Sequence, residues 1–199
     1  MQTQIQTAYP SIKIVFVGDT NVGKTCIVSK YVNGIFTTEG PTIGAAYFTK
    51  EIEVDKEKYV LNIWDTAGQE CYRYLVPMYY RNASIAILVY DITNKSSFES
   101  IQFWIDDIKK VITEDISFVL CGNKNDLEDQ RSVTEADVQA FAENLGLPYM
   151  ETSALTGYGI AKLFDLINNI IETNNIAKKK IEEQNKPKKL DDNGSGCDC

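Results

Sequence analysis

Histidine is absent from all 199 residues, which removes Ser-His and Cys-His nucleophile pairs and every histidine-containing metal site. Any catalysis must use other groups. No apolar run approaches the roughly 20 residues a membrane-spanning helix needs; the longest, SIAILVYDI at 84–92, has the length of a strand. The opening MQTQIQTAYPS has neither the charged and apolar regions of a secretory signal nor a glycine at position 2 for myristoylation, so the cytosol is the expected compartment. There, Cys26, Cys71 and Cys121 are expected to stay reduced, and their wide spacing makes neither a disulfide framework nor a zinc signature. Basic charge is also short: 20 Lys and Arg against 28 Asp and Glu leave a net charge of -8, which argues against a broad nucleic-acid surface.

What is present reads as one α/β domain at 11–175, preceded by a flexible start at 1–10 and followed by a flexible tail at 176–199. Three runs, SIKIVFVG (11–18), SIAILVY (84–90) and ISFVLCG (116–122), have the length and β-branched content of parallel strands buried on both faces. Helical stripes lie between and after them: Phe98, Ile101, Ile105, Ile108 and Ile112, then Ile160, Leu163, Phe164, Ile167 and Ile171. The stretch 46–65 reads as a hairpin around VDKEK. From Ile176 onward aromatics and apolar period are missing, which predicts a tether.

The first motif is GDTNVGKT, 18–25, which fits G-x-x-x-x-G-K-[ST] between an apolar strand and a helix. Asp19, Thr20, Asn21, Val22, Gly23, Lys24, Thr25 and Cys26 are therefore candidate phosphate-binding positions. The loop's N–H groups cradle phosphate oxygens, Lys24 adds charge toward the β and γ phosphates, and the Thr25 hydroxyl suits magnesium. Kinases, ATPases and GTPases all need this cradle, so it does not separate them.

GNKND, 122–126, follows the third buried strand, where strand ends line a ligand crevice. A carboxylate at Asp126 accepts both N1–H and the 2-amino group of guanine, donors that adenine lacks. Lys124 can lie along the base plane, Asn123 can tie this loop to the phosphate loop, and TSA (152–154) can offer a backbone N–H to the base carbonyl, making Ser153, Ala154 and Leu155 candidates too. WDTAGQE, 64–70, supplies Asp65 for magnesium, the Gly68 N–H for a γ-phosphate and Gln69 to orient water. Thr42, in GPTIGAAY, matches them with a hydroxyl for magnesium and a carbonyl for the water.

In this order, over residues 11 to about 175, these blocks make the sequence resemble the Ras superfamily of small GTPases. IGAAY (43–47), NIWDTAGQE (62–70), MYYRNA (78–83) and LVYDIT (88–93) resemble segments of the Rab family, with TIGAAY and VPMYYR leaning toward its endosomal subgroup. The resemblance implies a six-stranded, mostly parallel sheet with an antiparallel edge-side strand and helices on both faces. It also implies GTP or GDP with Mg2+, slow hydrolysis of GTP to GDP and phosphate with Gln69, Thr42 and Lys24 as catalytic residues, and switch segments ordered by the γ-phosphate. Phe36 falls where the family packs an aromatic on the guanine edge, and Tyr47, Trp64 and Tyr79 on its effector-reading triad. The implied partners are an exchange factor, a GTPase-activating protein, an escort protein, a dissociation inhibitor and effectors around a monomer, on the cytoplasmic face of an intracellular membrane and cycling with the cytosol.

Three departures stand out. The spacing from Phe36 to Thr42 is one residue shorter than usual, so the alternative reading is a hydrolysis-impaired GTP-binding scaffold. Cys71 replaces a usual arginine and Tyr47 a usual phenylalanine, both on the switch surface; Cys71 reads as a partner-specific surface change in preference to a redox-sensitive thiol, since no Lys or His flanks it to lower its pKa. The chain closes on Cys197-Asp198-Cys199. A zinc site would need four ligands, and a disulfide across one residue would be strained. The Rab resemblance implies instead geranylgeranylation of both thiols, two chains giving stable anchoring where one is marginal.

Overall fold

Three apolar runs of the sequence form the centre of one sheet in the computed structural model, which describes residues 9–37, 40, 42–67, 76–112, 115–176 and 179. Strand β1 (Ser11–Val17) lies between β3 (Glu57–Thr66) and β4 (Ile85–Asp91), parallel to both, and β5 (Ser117–Asn123) runs parallel beyond β4. Strand β6 (Tyr149–Glu151) closes one edge, and β2 (Ala45–Val54), antiparallel to β3, closes the other, giving the order β2-β3-β1-β4-β5-β6. This is the six-stranded, mostly parallel sheet that the resemblance implies.

The apolar runs are unbroken because both faces are covered; every residue of β4 is buried. On one face Ile12, Ile14 and Phe16 pack under α1 (Lys24–Asn33) and α6 (Ile160–Thr173), where Phe164 stacks on Tyr31. On the other, Val15 and Val17 meet α2 (Val76–Tyr80), α4 (Ile101–Val111) and α5 (Glu135–Leu145). Both helical stripes of the sequence face these cores. The first is split at Ser100 into α3 (Lys95–Glu99) and α4, although Ser100 itself keeps helical angles, φ -71° and ψ -13°. Ile112 turns extended and ends α4 while its N–H still reaches Ile108.

The hairpin of 46–65 is present and tighter than VDKEK suggests. Its turn is Asp55 and Lys56, at φ 53° and 65°, the positive pair that matches the right-handed twist of the flanking strands. Ile176, where the sequence places the start of the tether, is buried against the α1 and α6 face. Burial pushes the Cys121 thiol up to about 12, which makes it an inert core residue. Among the described residues no helix is long and apolar enough to cross a membrane.

Candidate nucleotide-binding site

The phosphate-loop motif sits where β1 leaves the sheet. Gly18, at φ 145°, passes so close to β4 that a Cβ there would lie 2.1 Å from the Val89 carbonyl oxygen. Backbone cannot retreat as a flexible side chain can, and the loop's path therefore requires glycine. Gly18→Ala is expected to cost at least about 2 kcal/mol through strain and overpacking, measured by denaturant unfolding of the nucleotide-free protein. The loop re-enters α1 through Asn21 and Gly23, at φ 61° and 95°.

Lys24, the first residue of α1, is 5% exposed, and its ammonium donates to Gly18 O at 2.8 Å and Asp19 O at 2.7 Å, arching over the loop. Burial lowers it to about 8 against the nearby charges of Asp65 and Asp19, so an incoming phosphate would meet a poorly solvated cation. Two other loop positions are committed to the protein itself. The Val22 side chain is buried in the core, and the Asp19 carboxylate accepts from Trp104 Nε1 at 2.9 Å.

Beside Lys24 three oxygen-bearing side chains from separate segments meet. Thr25 Oγ1 donates to Asp65 Oδ2 at 2.6 Å and lies 2.8 Å from Thr42 Oγ1, which is 3.4 Å from the same carboxylate oxygen. Asp65 is fully buried, and its Oδ1 has no hydrogen-bond partner among the described residues. Burial raises its pKa, opposed by Thr25, Lys24 and Thr42. An orphaned buried oxygen among hydroxyls fits a hard divalent cation such as magnesium, which takes few protein ligands and completes its shell with water and phosphate. Among the described residues no group of three or more His, Cys, Asp or Glu offers an alternative cage.

The third wall comes from the ends of β5 and β6. Asn123 spans the site: Nδ2 donates to Val22 O at 2.8 Å, while Oδ1 accepts from Thr152 Oγ1 at 3.2 Å and Ala154 N at 3.3 Å. Lys124 takes the left-handed conformation, φ 70°, and pairs with Asp91 at 2.6 Å. Ser153 Oγ donates to Asp126 Oδ1, which fixes the carboxylate's orientation.

These walls enclose a cavity of about 410 Å³, within the range of small-molecule sites. Of the sequence candidates, its lining takes Thr20, Asn21, Gly23, Lys24, Thr25, Cys26, Phe36, Thr42, Asn123, Lys124, Asp126, Ala154 and Leu155. Asp19, Val22, Asp65 and Ser153 stand behind it and hold the wall. Gly40 and Leu127 line it unforeseen; the anchoring of Lys124 by Asp91, outside the lining, was unforeseen too, its only signal being a charge ending a buried strand. Gly68, Gln69, Cys71, Cys197 and Cys199 lie outside the described residues.

Away from the cavity, Tyr47, Trp64 and Tyr79 form one aromatic row, with centroids 5.1 Å and 5.6 Å apart. Strand pairing sets Tyr47 opposite Trp64, and Tyr47 is 52% exposed. Lys13 sits over the Trp64 ring at 4.7 Å.

Sheet order and cavity together define the class, a P-loop small GTPase. The Ras family model matches residues 13–173, and the chain belongs to that family, as a small GTPase of the Rab type. Ras-related protein Rab-26 of Bos taurus is 42% identical over 159 residues, 79% of this chain and 62% of the relative. Ras-related protein RabJ of Dictyostelium discoideum is 39% identical over 177 residues, 87% of this chain and 69% of the relative. Ras-related protein Rab-17 of Mus musculus is 40% identical over 156 residues, 78% and 73%. The chain thus spans less than two thirds of the bovine Rab-26 it matches.

Proposed function

We propose that this protein is a GTP-operated switch of vesicular membrane traffic that binds GTP with Mg2+, recruits effectors in that state and resets by hydrolysis. The observation that carries this reading is that Lys24, Thr25, Thr42 and Asp126 line one cavity, with the Asp65 carboxylate directly behind it in contact with both threonine hydroxyls. Loop N–H groups and the Lys24 ammonium hold the phosphates, and Asp126 accepts from the guanine edge while the Lys124 stem covers its plane. Phe36 packs at the base edge, and the Ser153–Leu155 turn closes over its carbonyl. Thr25, Thr42 and Asp65 would hold a magnesium ion, which when bound would supply positive charge for phosphoryl transfer. Gln69, with the Thr42 carbonyl, orients the attacking water, and the Gly68 N–H meets the γ-phosphate.

The aromatic row of Tyr47, Trp64 and Tyr79 supports effector docking, since Trp64 opens the WDTAGQE segment and Tyr79 follows it in the chain. The same reading includes an exchange factor, an activating protein, an escort protein and a dissociation inhibitor. It also takes Cys197 and Cys199 as lipid attachment sites and, on TIGAAY and VPMYYR, an endosomal membrane.

Single-turnover hydrolysis of preloaded GTP tests the central step. Phosphate release is expected from the wild type, and Gln69→Leu is expected to slow it by at least about tenfold, roughly 1.4 kcal/mol of barrier. Equal rates in the two proteins would remove Gln69 from the chemistry. Tight GTP binding with no release from either would leave a GTP-binding scaffold.

A further inference from the structure

Glu151, at the end of β6, gathers four hydrogen bonds on one carboxylate outside the cavity wall. Oε1 accepts from Tyr149 OH and from Arg131 Nη1 at 2.9 Å; Oε2 accepts from Asn125 Nδ2 at 2.6 Å and Arg131 Nη2 at 2.8 Å. Both charged side chains are largely shielded, Arg131 at 12% and Glu151 at 14% exposure. The donors come from the two ends of one segment. Asn125 opens the 3-10 helix Asn125–Gln130, which carries Asp126, and Arg131 caps it. Glu151 itself directly precedes the Thr152–Ser153–Ala154 turn.

We propose that Glu151 is a positioning residue for base discrimination, fixing Asp126 relative to the Ser153 turn without touching the nucleotide. The proposal rests on the guanine reading of the cavity. For Asp126 to accept two N–H groups from one base edge, its carboxylate must hold position to about 0.5 Å. Its orientation is set by Ser153 Oγ, two residues beyond Glu151, so any slip between the 125–131 segment and the 151–154 turn rotates the carboxylate. Backbone adds one link, Asn125 N to Thr152 O at 3.1 Å, and the Glu151 carboxylate adds three side-chain donors around it. Burial alone would push Glu151 up, but Arg131, Tyr149 and Asn125 outweigh it and hold the carboxyl below its ordinary range. A glutamine there would turn an amide N–H toward a donor. Arg131 keeps a second, exposed partner, Glu128, at 2.7 Å, so neutralising Glu151 does not orphan the guanidinium.

The test is Glu151→Gln in the full chain, with dissociation constants for GDP and for IDP, which lacks the 2-amino group. The wild type is expected to prefer GDP, and the variant to lose about tenfold of that preference because GDP loses both contacts to Asp126 whereas IDP has only its N1–H contact to lose. Asn125→Ala, which removes one donor and leaves the Arg131 pair in place, is expected to move the ratio in the same direction by about threefold, and it decides the matter if the glutamine variant does not fold. Glu128→Gln is expected to leave the ratio unchanged. Equal weakening of GDP and IDP in Glu151→Gln, or an unchanged ratio in Asn125→Ala, would show a purely structural tie and overturn the proposal. A wild type that binds ADP as tightly as GDP would overturn the cavity reading itself, and the proposal with it.

Discussion

Asp126→Asn is expected to lower GDP affinity by about 10²-fold or more and to make a xanthine nucleotide the better ligand. The carboxylate presents acceptors only, matched to the N1–H and 2-amino donors of guanine. An asparagine presents one acceptor and one donor. Ser153 Oγ decides how the amide turns, because its hydroxyl donates to the Oδ1 position and keeps oxygen there. The new NH2 therefore takes the other position, where it opposes the guanine amino group and complements the 2-oxo group of xanthine. Two donors forced together leave both unpaired inside a closed site, at about 1–3 kcal/mol each. Competition of GDP and XDP against a fluorescent nucleotide measures the swap. GDP affinity retained within tenfold would remove Asp126 from the base edge.

The parts of this protein that were legible in its sequence are those whose cause is local. β1, β4 and β5 announce themselves because coverage on both faces makes contiguous apolar runs. The phosphate loop is likewise contiguous, and its chemistry is mostly backbone. By contrast, β6 is only Tyr149–Glu151, too short to carry a pattern, and it is a strand because β5 pairs with it. Helix α5 buries only Val138 and Ala142 fully, so its stripe is faint, and its clearest mark is Thr134 capping the Asp137 N–H. The hairpin turn hid because Asp55-Lys56 lacks the glycine that usually marks positive φ. The site divides the same way. Asp126, Lys24 and Thr25 sit in linear motifs, whereas Asp91 acts on Lys124 only because register sets Asp91 beside Asn123 across β4 and β5. Glu151 and Arg131 meet from segments 20 residues apart. Such pairings are created by topology, and no window of sequence contains them.

Asp65→Asn is expected to have effects of opposite sign on the free and the loaded protein. In the free protein Asp65 is a buried acid with one oxygen unpaired among the described residues, and burial holds its pKa above the ordinary 3.8. A raised folded-state pKa means that the native state binds the proton more tightly than the unfolded chain, so ionisation costs stability, fully above the folded pKa. The amide carries no charge, and the nucleotide-free variant should be as stable as the wild type or more so at neutral pH. That gain should shrink as the pH falls through the raised folded pKa and be gone below 3.8, where the wild-type acid is protonated in both states. With GDP and magnesium the order reverses. The cation stabilises only the state that holds it, by RT ln(1 + [L]/Kd), and replacing the carboxylate by an amide removes the negative charge its site offers. GDP release from the wild type is expected to accelerate by at least about tenfold on chelation, roughly 1.4 kcal/mol, whereas release from Asp65→Asn should already be fast and respond weakly. A variant whose GDP release kept the full wild-type response to chelator would place the ion elsewhere. A variant that unfolded without nucleotide would show that the carboxylate serves the fold and not the cation.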